Sequence, residues 1–223
     1  MAASRSGIWG WIRALFCLLL FFPVPGLGSQ EATKQWLVDQ IQADGSLDSP
    51  ASKAITFQST TEAAINLLDA DQSLAGVLSG VTSYLASVDA DHSAENLSRS
   101  IRTAYALGQE FGEAQDELLK RRIAGSGFGA FPGYDPDPLS TAYALETLSL
   151  LGITQEPAAY ALQYLINAQN DDGSWALAGD VGRVQTTALA MHALWQYRHI
   201  YDVESPLQAA ADFLLAQQES ELW

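Results

Sequence analysis

Few side chains in this sequence are placed to do chemistry. Asp135 and Asp137 flank Pro136 shortly before a helix-like segment that starts Thr141-Ala142. A carboxyl group there could donate a proton if its surroundings kept it neutral. Among Pro132, Pro136 and Pro138, however, both are ordinary turn residues, solvated and ionised. Of the three histidines, His92, His192 and His199, only His192 falls within a helical pattern, with Leu189, Trp195 and Gln196 on the same surface. That setting suits a core or cavity residue; there is no His-x-x-x-His pair or cysteine cluster to make a zinc site. Gly125-Ser126-Gly127-Phe128-Gly129 lacks the lysine of a phosphate loop, and no Gly-x-Ser-x-Gly elbow is present. Phe128, Phe131 and Tyr134, beside the two aspartates, could rim a site for an apolar, sugar-like or cationic ligand. They could equally be the packed aromatics of a helix-connecting turn. Asp135 and Asp137 are thus the catalytic candidates and Phe131, Tyr134 and His192 the binding candidates, with no metal or cofactor implied.

Composition narrows the partners. Hydrophobic residues make up 48% of the 223 and charged residues 17%, a globular balance. The formal charge of -15 argues against nucleic acid and against anionic lipid, both of which need clustered Lys and Arg. A basic start (Arg5, Arg13), an apolar run from Ala14 to Phe22 and a small-residue exit through Gly26, Gly28 and Ser29 form the parts of a secretory signal. The reading is a signal over residues 1–28 and an exported chain, periplasmic or extracellular; an uncleaved N-terminal anchor is the alternative. Cys17, the only cysteine, lies within that signal, so the chain after it has no disulfide and no thiol. Asn96-Leu97-Ser98 is a glycosylation sequon, a triplet that arises easily by chance.

These residues must be positioned by helices. Ala- and Leu-rich segments with apolar residues on more than one face lead with Thr61, Thr103, Thr141 and Thr187, a period of about 42 residues. A second type of segment, begun by an aromatic-Leu pair, alternates with them: Trp36-Leu37, Tyr84-Leu85, Tyr164-Leu165 and Phe213-Leu214. Asp44-Gly45-Ser46 and Asp172-Gly173-Ser174 keep the same offset from the first and third pairs. Ser59 through Glu62 fits a capping box, Ser140 and Thr186 stand as caps, and Gly108, Gly112 and Gly152 as helix stops. A single helix pair cannot bury its own apolar face, so the pairs must stack.

The stretch Tyr164-Leu165-Ile166-Asn167-Ala168-Gln169-Asn170-Asp171-Asp172-Gly173-Ser174-Trp175 resembles the QW motif of squalene and terpenoid cyclases. Weaker copies are Phe213-Leu214 with Gln217, Gln218 and Trp223, and Trp36-Leu37 with Gln40, Gln42 and Gly45. The resemblance extends to the terpenoid-cyclase and protein-prenyltransferase superfamily. It implies an all-α fold, a partial α/α toroid over residues 29–223 of about four and a half helix pairs. It gives Tyr164, Gln169, Gly173 and Trp175 a structural role, with Gln169 bonding free N–H groups at a helix start. A HEAT- or TPR-like solenoid is the architectural rival.

In that superfamily the cyclases use an Asp-x-Asp-Asp acid before Thr-Ala, where this chain has Pro138, Leu139 and Ser140, and the prenyltransferases use a zinc-bound Cys that the chain after the signal lacks. The expectation is therefore an exported non-catalytic binding or scaffolding module for a small molecule or protein. It could self-associate or be a piece of a longer protein. The alternative is a divergent terpenoid cyclase, or a fragment of one, with Asp135 or Asp137 as acid.

Overall fold

The computed structural model of the chain describes residues 30–47, 53–88, 90–177 and 183–220. Their regular structure is helical, without a strand among the described residues, so the all-α expectation holds. The helices are α1 (Gln30–Asp39), α2 (Lys53–Ala70), a 3-10 turn (Gln72–Gly76), α3 (Ser79–Ser87), α4 (Ala94–Ala106) and α5 (Gly112–Leu119). They continue with α6 (Pro138–Leu150), α7 (Ala158–Asn167), α8 (Arg183–Gln196) and α9 (Glu204–Ser220). The chain divides after Asp39 into two compact units. Of the first, α1 is described. It is a polar helix with Glu31 in its first turn, where a carboxylate suits the helix dipole, and a Lys34–Glu31 ion pair of 2.8 Å.

In the second unit the even-numbered helices pack in chain order: α2 on α4, α4 on α6, and α6 on α8. Each odd helix from α3 onward packs on the even helix before it: α3 on α2, α5 on α4, α7 on α6, α9 on α8. The sequence dictates this division. In α6 every residue from Ser140 to Leu148 is buried, because Ala, Leu and Thr leave no polar face. In α7 the buried residues are Ala158, Ala161, Leu162 and Leu165, one stripe at helical spacing. Buried threonines satisfy their hydroxyls within their own helix, Thr103 donating to Arg99 O (2.8 Å) and Thr147 to Tyr143 O (3.1 Å).

Three turns share one hydrogen-bond scheme. In 42–46, 123–127 and 170–174 the first N–H reaches the fifth carbonyl: Gln42 to Ser46 (2.8 Å), Ile123 to Gly127 (2.9 Å), Asn170 to Ser174 (2.9 Å). The next residue in each then donates its N–H to a threonine at an even helix: Leu47 to Thr60 (2.8 Å), Phe128 to Thr141 (3.0 Å), Trp175 to Thr187 (2.9 Å). In the latter two the threonine hydroxyl also approaches the same residue's carbonyl, at 3.2 and 3.3 Å. Phe128 and Trp175 are fully buried, and the indole N–H of Trp175 donates to Leu165 O at 2.8 Å. The segment Gly125–Gly129 is therefore a helix-connecting turn with its aromatic packed inward.

Glycine is required where these turns meet a neighbouring helix. Gly173 has φ +85°, and a Cβ there would lie 2.2 Å from Ala209 O of α9; Gly45 has φ +87° and would meet Gly80 of α3 at 2.1 Å. Gln169 completes the contact with α9, its amide nitrogen donating to Gly173 O and to Pro206 O, both at 2.9 Å. It ties the turn through carbonyls, the reverse of the expected bonding to free N–H groups.

Several local expectations need correction. Ser59–Glu62 caps nothing: α2 begins at Lys53, Ser59 donates to Thr56 O (3.1 Å), and Glu62 pairs with Arg99 of α4. The cap of α6 is Asp137 rather than Ser140, and Thr186 lies inside α8. Gly108 (φ +67°) and Gly152 (φ +72°) do follow helix ends, whereas Gly112 opens α5. The aromatic-Leu pairs come near the ends of α1, α3 and α7 and within α9, not at helix starts. α5 escaped notice because Glu117 stands before Leu118 where the other helices carry an aromatic. Asn96–Ser98 falls within α4, with Ser98 fully buried.

Trp175→Ala should cost about 3–5 kcal/mol in chemical denaturation, the usual loss for a fully buried large aromatic. Gly173→Ala should cost more than Gly152→Ala. Both glycines have positive φ, but a Cβ at Gly152 meets nothing within 4 Å. Equal losses would show that the Ala209 contact imposes no constraint.

Candidate binding cavity

The even helices meet through two tiers of polar side chains one turn apart. In the first, Arg99 of α4 is almost entirely buried and spends its guanidinium on three partners. Nε donates to Glu95 Oε1 (3.0 Å), Nη1 to Glu62 of α2, and Nη2 to the Tyr143 hydroxyl of α6 (2.6 Å). It also lies 4.9 Å from the centre of the Tyr143 ring. Burial pushes the Tyr143 phenol up, the nearby Arg99 charge opposing, so the hydroxyl stays protonated.

In the second tier, three residues further along, Glu146 of α6 lies between Arg102 of α4 and His192 of α8. Its carboxylate side chain is 4% exposed, with Arg102 Nη1 2.7 Å from Oε2 and His192 Nδ1 2.6 Å from Oε1. Burial is the largest influence on this carboxyl and opposes ionisation. The Arg102 charge and the His192 hydrogen bond outweigh it and hold the group below its ordinary range. Because Oε1 accepts, His192 Nδ1 carries a hydrogen. In the neutral ring Nε2 then accepts from the Gln196 amide, 3.1 Å away.

This tier forms the floor of a cavity of about 510 Å³. Its walls come from the last turns of the four even helices: Leu68 and Asp69 of α2, Tyr105 of α4, Leu150 of α6 and Gln196 of α8. Such a volume suits a small organic molecule, with apolar walls to bury its body and few polar groups to orient it. Both Glu146 oxygens are engaged, so the carboxylate is a fixed anchor for Arg102 and His192 rather than a proton donor.

The site residues expected from sequence separate into two groups. His192 enters the cavity. Asp135, Asp137, Phe131 and Tyr134 lie at the other end of α6, a 13-residue helix about 20 Å long. Asp137 caps that helix, its Oδ1 accepting from Ser140 N at 2.8 Å, and Asp135 is exposed. Tyr134 is 60% exposed and meets Phe131 edge-on, ring centres 5.5 Å apart. Tyr164 donates its hydroxyl to Pro136 O (2.7 Å). Burial, reinforced by the charges of Asp137 and Asp135, pushes its phenol up to about 12. Gln169, Gly173 and Trp175 build the turn above. Among the described residues no three His, Cys, Asp or Glu side chains converge to hold a metal ion.

Asp69, Arg102, Tyr105 and Glu146 are absent from the residues expected from sequence. A signal existed. Glu146 and His192 each follow by five residues a threonine, Thr141 or Thr187, that clamps a turn. Aligning Thr103 with Thr141 hid Arg102, because Thr103 instead corresponds to Thr147, each bonding back four residues. No protein-family model matches the chain, and no curated protein is significantly similar to it.

Glu146 has a depressed pKa in the folded state, so its ionised form stabilises the fold above the unfolded carboxyl range, and that contribution disappears as pH falls through the folded value. Glu146→Gln should therefore lose about 3 kcal/mol near pH 7, as expected when one partner of a buried ion pair is removed. The gap between variant and parent should narrow below about pH 4. A gap independent of pH in urea titrations would contradict the ionised assignment.

Proposed function

We propose that this chain is an exported, non-catalytic binding module built as a partial α/α toroid of the prenyltransferase and squalene-cyclase repeat type, its ligand held in the cavity above Glu146. The observation that carries the reading is the convergence of four successive even helices on one cavity whose floor is the Arg102–Glu146–His192 line. Support for the superfamily comes from the Tyr164–Trp175 stretch. Its Gln169 joins the turn to α9 and its Trp175 is buried beneath that turn, a bracing role like the one the QW motif has in cyclases. The threefold recurrence of the turn agrees with stacked helix pairs of about 42 residues, four and a half of them over residues 29–223.

Export rests on the signal-like residues 1–28, which lie outside the described residues. Among the described residues no helix is long and apolar enough to cross a membrane. The absence of clustered basic residues favours a small molecule or protein partner over nucleic acid.

The rival, a divergent terpenoid cyclase, would need Asp135 or Asp137 as its acid. An exposed carboxyl and a helix cap are poor places to keep a proton at neutral pH. Leu150→Trp should fill the cavity without disturbing the turns. Native mass spectrometry of the protein purified from its exporting host should show a bound small molecule in the parent that is missing from Leu150→Trp. Cyclised product from squalene or geranylgeranyl diphosphate, abolished by Asp135→Asn or Asp137→Asn, would establish the rival instead.

A further inference from the structure

The cavity has an electrostatic character that its lining alone understates. α2, α4, α6 and α8 all present their C-terminal turns to it. A helix C-terminus carries roughly half a negative charge on its unsatisfied carbonyls, and proteins commonly offset it with Lys, Arg or His in the last turn. The last turns of α2, α4 and α6 contain no basic residue. At α8, Arg198 just beyond the helix donates to Trp195 O (2.7 Å) and offsets that end.

The side chains add to this field. Arg102, the lining cation, is matched by the Glu146 carboxylate at 2.7 Å. Asp69, in the last turn of α2, is exposed at the cavity wall, with no cationic side chain in ion-pair contact among the described residues. Tyr105, 48% exposed, presents a ring whose negative face attracts cations. Ile65 and Leu150 supply apolar surface beside these groups. With no trio of metal ligands among the described residues, the field suits a charged organic group rather than a metal ion.

From this arrangement we infer that the cavity binds an organic cation, a primary or quaternary amine carried on an apolar body. Asp69 and the C-termini of α2, α4 and α6 hold the charge, Tyr105 lies against it, and the apolar part rests on Ile65 and Leu150. The inference rests on the cavity being the binding site proposed above and adds the chemical class of its ligand. It also explains why a wall with a free carboxylate coexists with a floor whose carboxylate is neutralised: the floor is fixed, and the wall waits for the ligand's charge.

Three probes of one shape and different charge test this by calorimetry on the purified protein at pH 7.5: 4-phenylbutylammonium, 4-phenyl-1-butanol and 4-phenylbutyrate. The ammonium should bind at least about 10-fold tighter than the alcohol, and the carboxylate weakest. Its advantage should shrink as salt is raised, since Asp69 is exposed to screening. Asp69→Asn should cost the ammonium about 5- to 10-fold and leave the alcohol unchanged. Tyr105→Leu should weaken the ammonium more than the alcohol. Equal binding of ammonium and alcohol, or preference for the carboxylate, overturns the cation assignment. If that binding still disappears in Leu150→Trp, the cavity remains the site. Failure of all three probes at millimolar concentration removes both readings.

Discussion

One contact recurs where the chain turns from an odd helix into an even one: a backbone N–H held by a threonine hydroxyl. Thr60, Thr141 and Thr187 each accept from the residue that closes a turn, and two of them also approach that residue's carbonyl. The hydroxyl suits the task because it can donate and accept at once. Buried backbone groups leaving a turn would otherwise be unpaired, at a cost of about 1–3 kcal/mol each. With the turn fixed, its aromatic drops into the core, as Trp175 does, and its glycine backs onto a neighbouring helix, as Gly173 does on α9. Neutral hydrogen bonds thus fix the N-terminal halves of α2, α6 and α8, and apolar burial then holds these helices there.

The two polar tiers depend on that placement. Glu62, Arg99 and Tyr143 meet only because α2, α4 and α6 are aligned along their axes, and Arg102, Glu146 and His192 meet one turn later for the same reason. A slip of one helix by a single residue, about 1.5 Å, would break such short contacts and leave buried charges unpaired. The ion pairs therefore report the alignment that the turns impose. They are costly to disrupt, without being the source of the fold's stability.

The helical class, the alternation of two helix types and the Gln169–Trp175 turn were legible in the sequence, because Ala/Leu periodicity and an Asp-Gly-Ser turn are local signals. What was not legible needed contacts across helices. Thr60 and Thr61 are adjacent and chemically identical, and only the distance to Leu47 distinguishes the one that clamps. Ser59 and Glu62 carried a capping pattern that the longer α2 overrode, since Lys53–Gln58 extend the helix ahead of it. Of the residues that line the cavity, the sequence placed His192 and Gln196 on one helix surface and singled out His192. Arg102 and Glu146 look like surface charges on a single helix and become a site only when α4, α6 and α8 are set side by side. Phe131 and Tyr134 drew attention through their aromatic spacing, yet they and the cavity are at opposite ends of α6.

The threonine clamps of α2, α6 and α8 act at their N-terminal halves, whereas the groups that line the cavity wall occupy the last turns of the even helices. Substitutions at Asp69, Tyr105, Leu150 or Gln196 leave the threonine clamps and the buried turn aromatics untouched. The cavity lining can therefore change while the scaffold is kept, and two chains with nearly the same helices would then present different surfaces there.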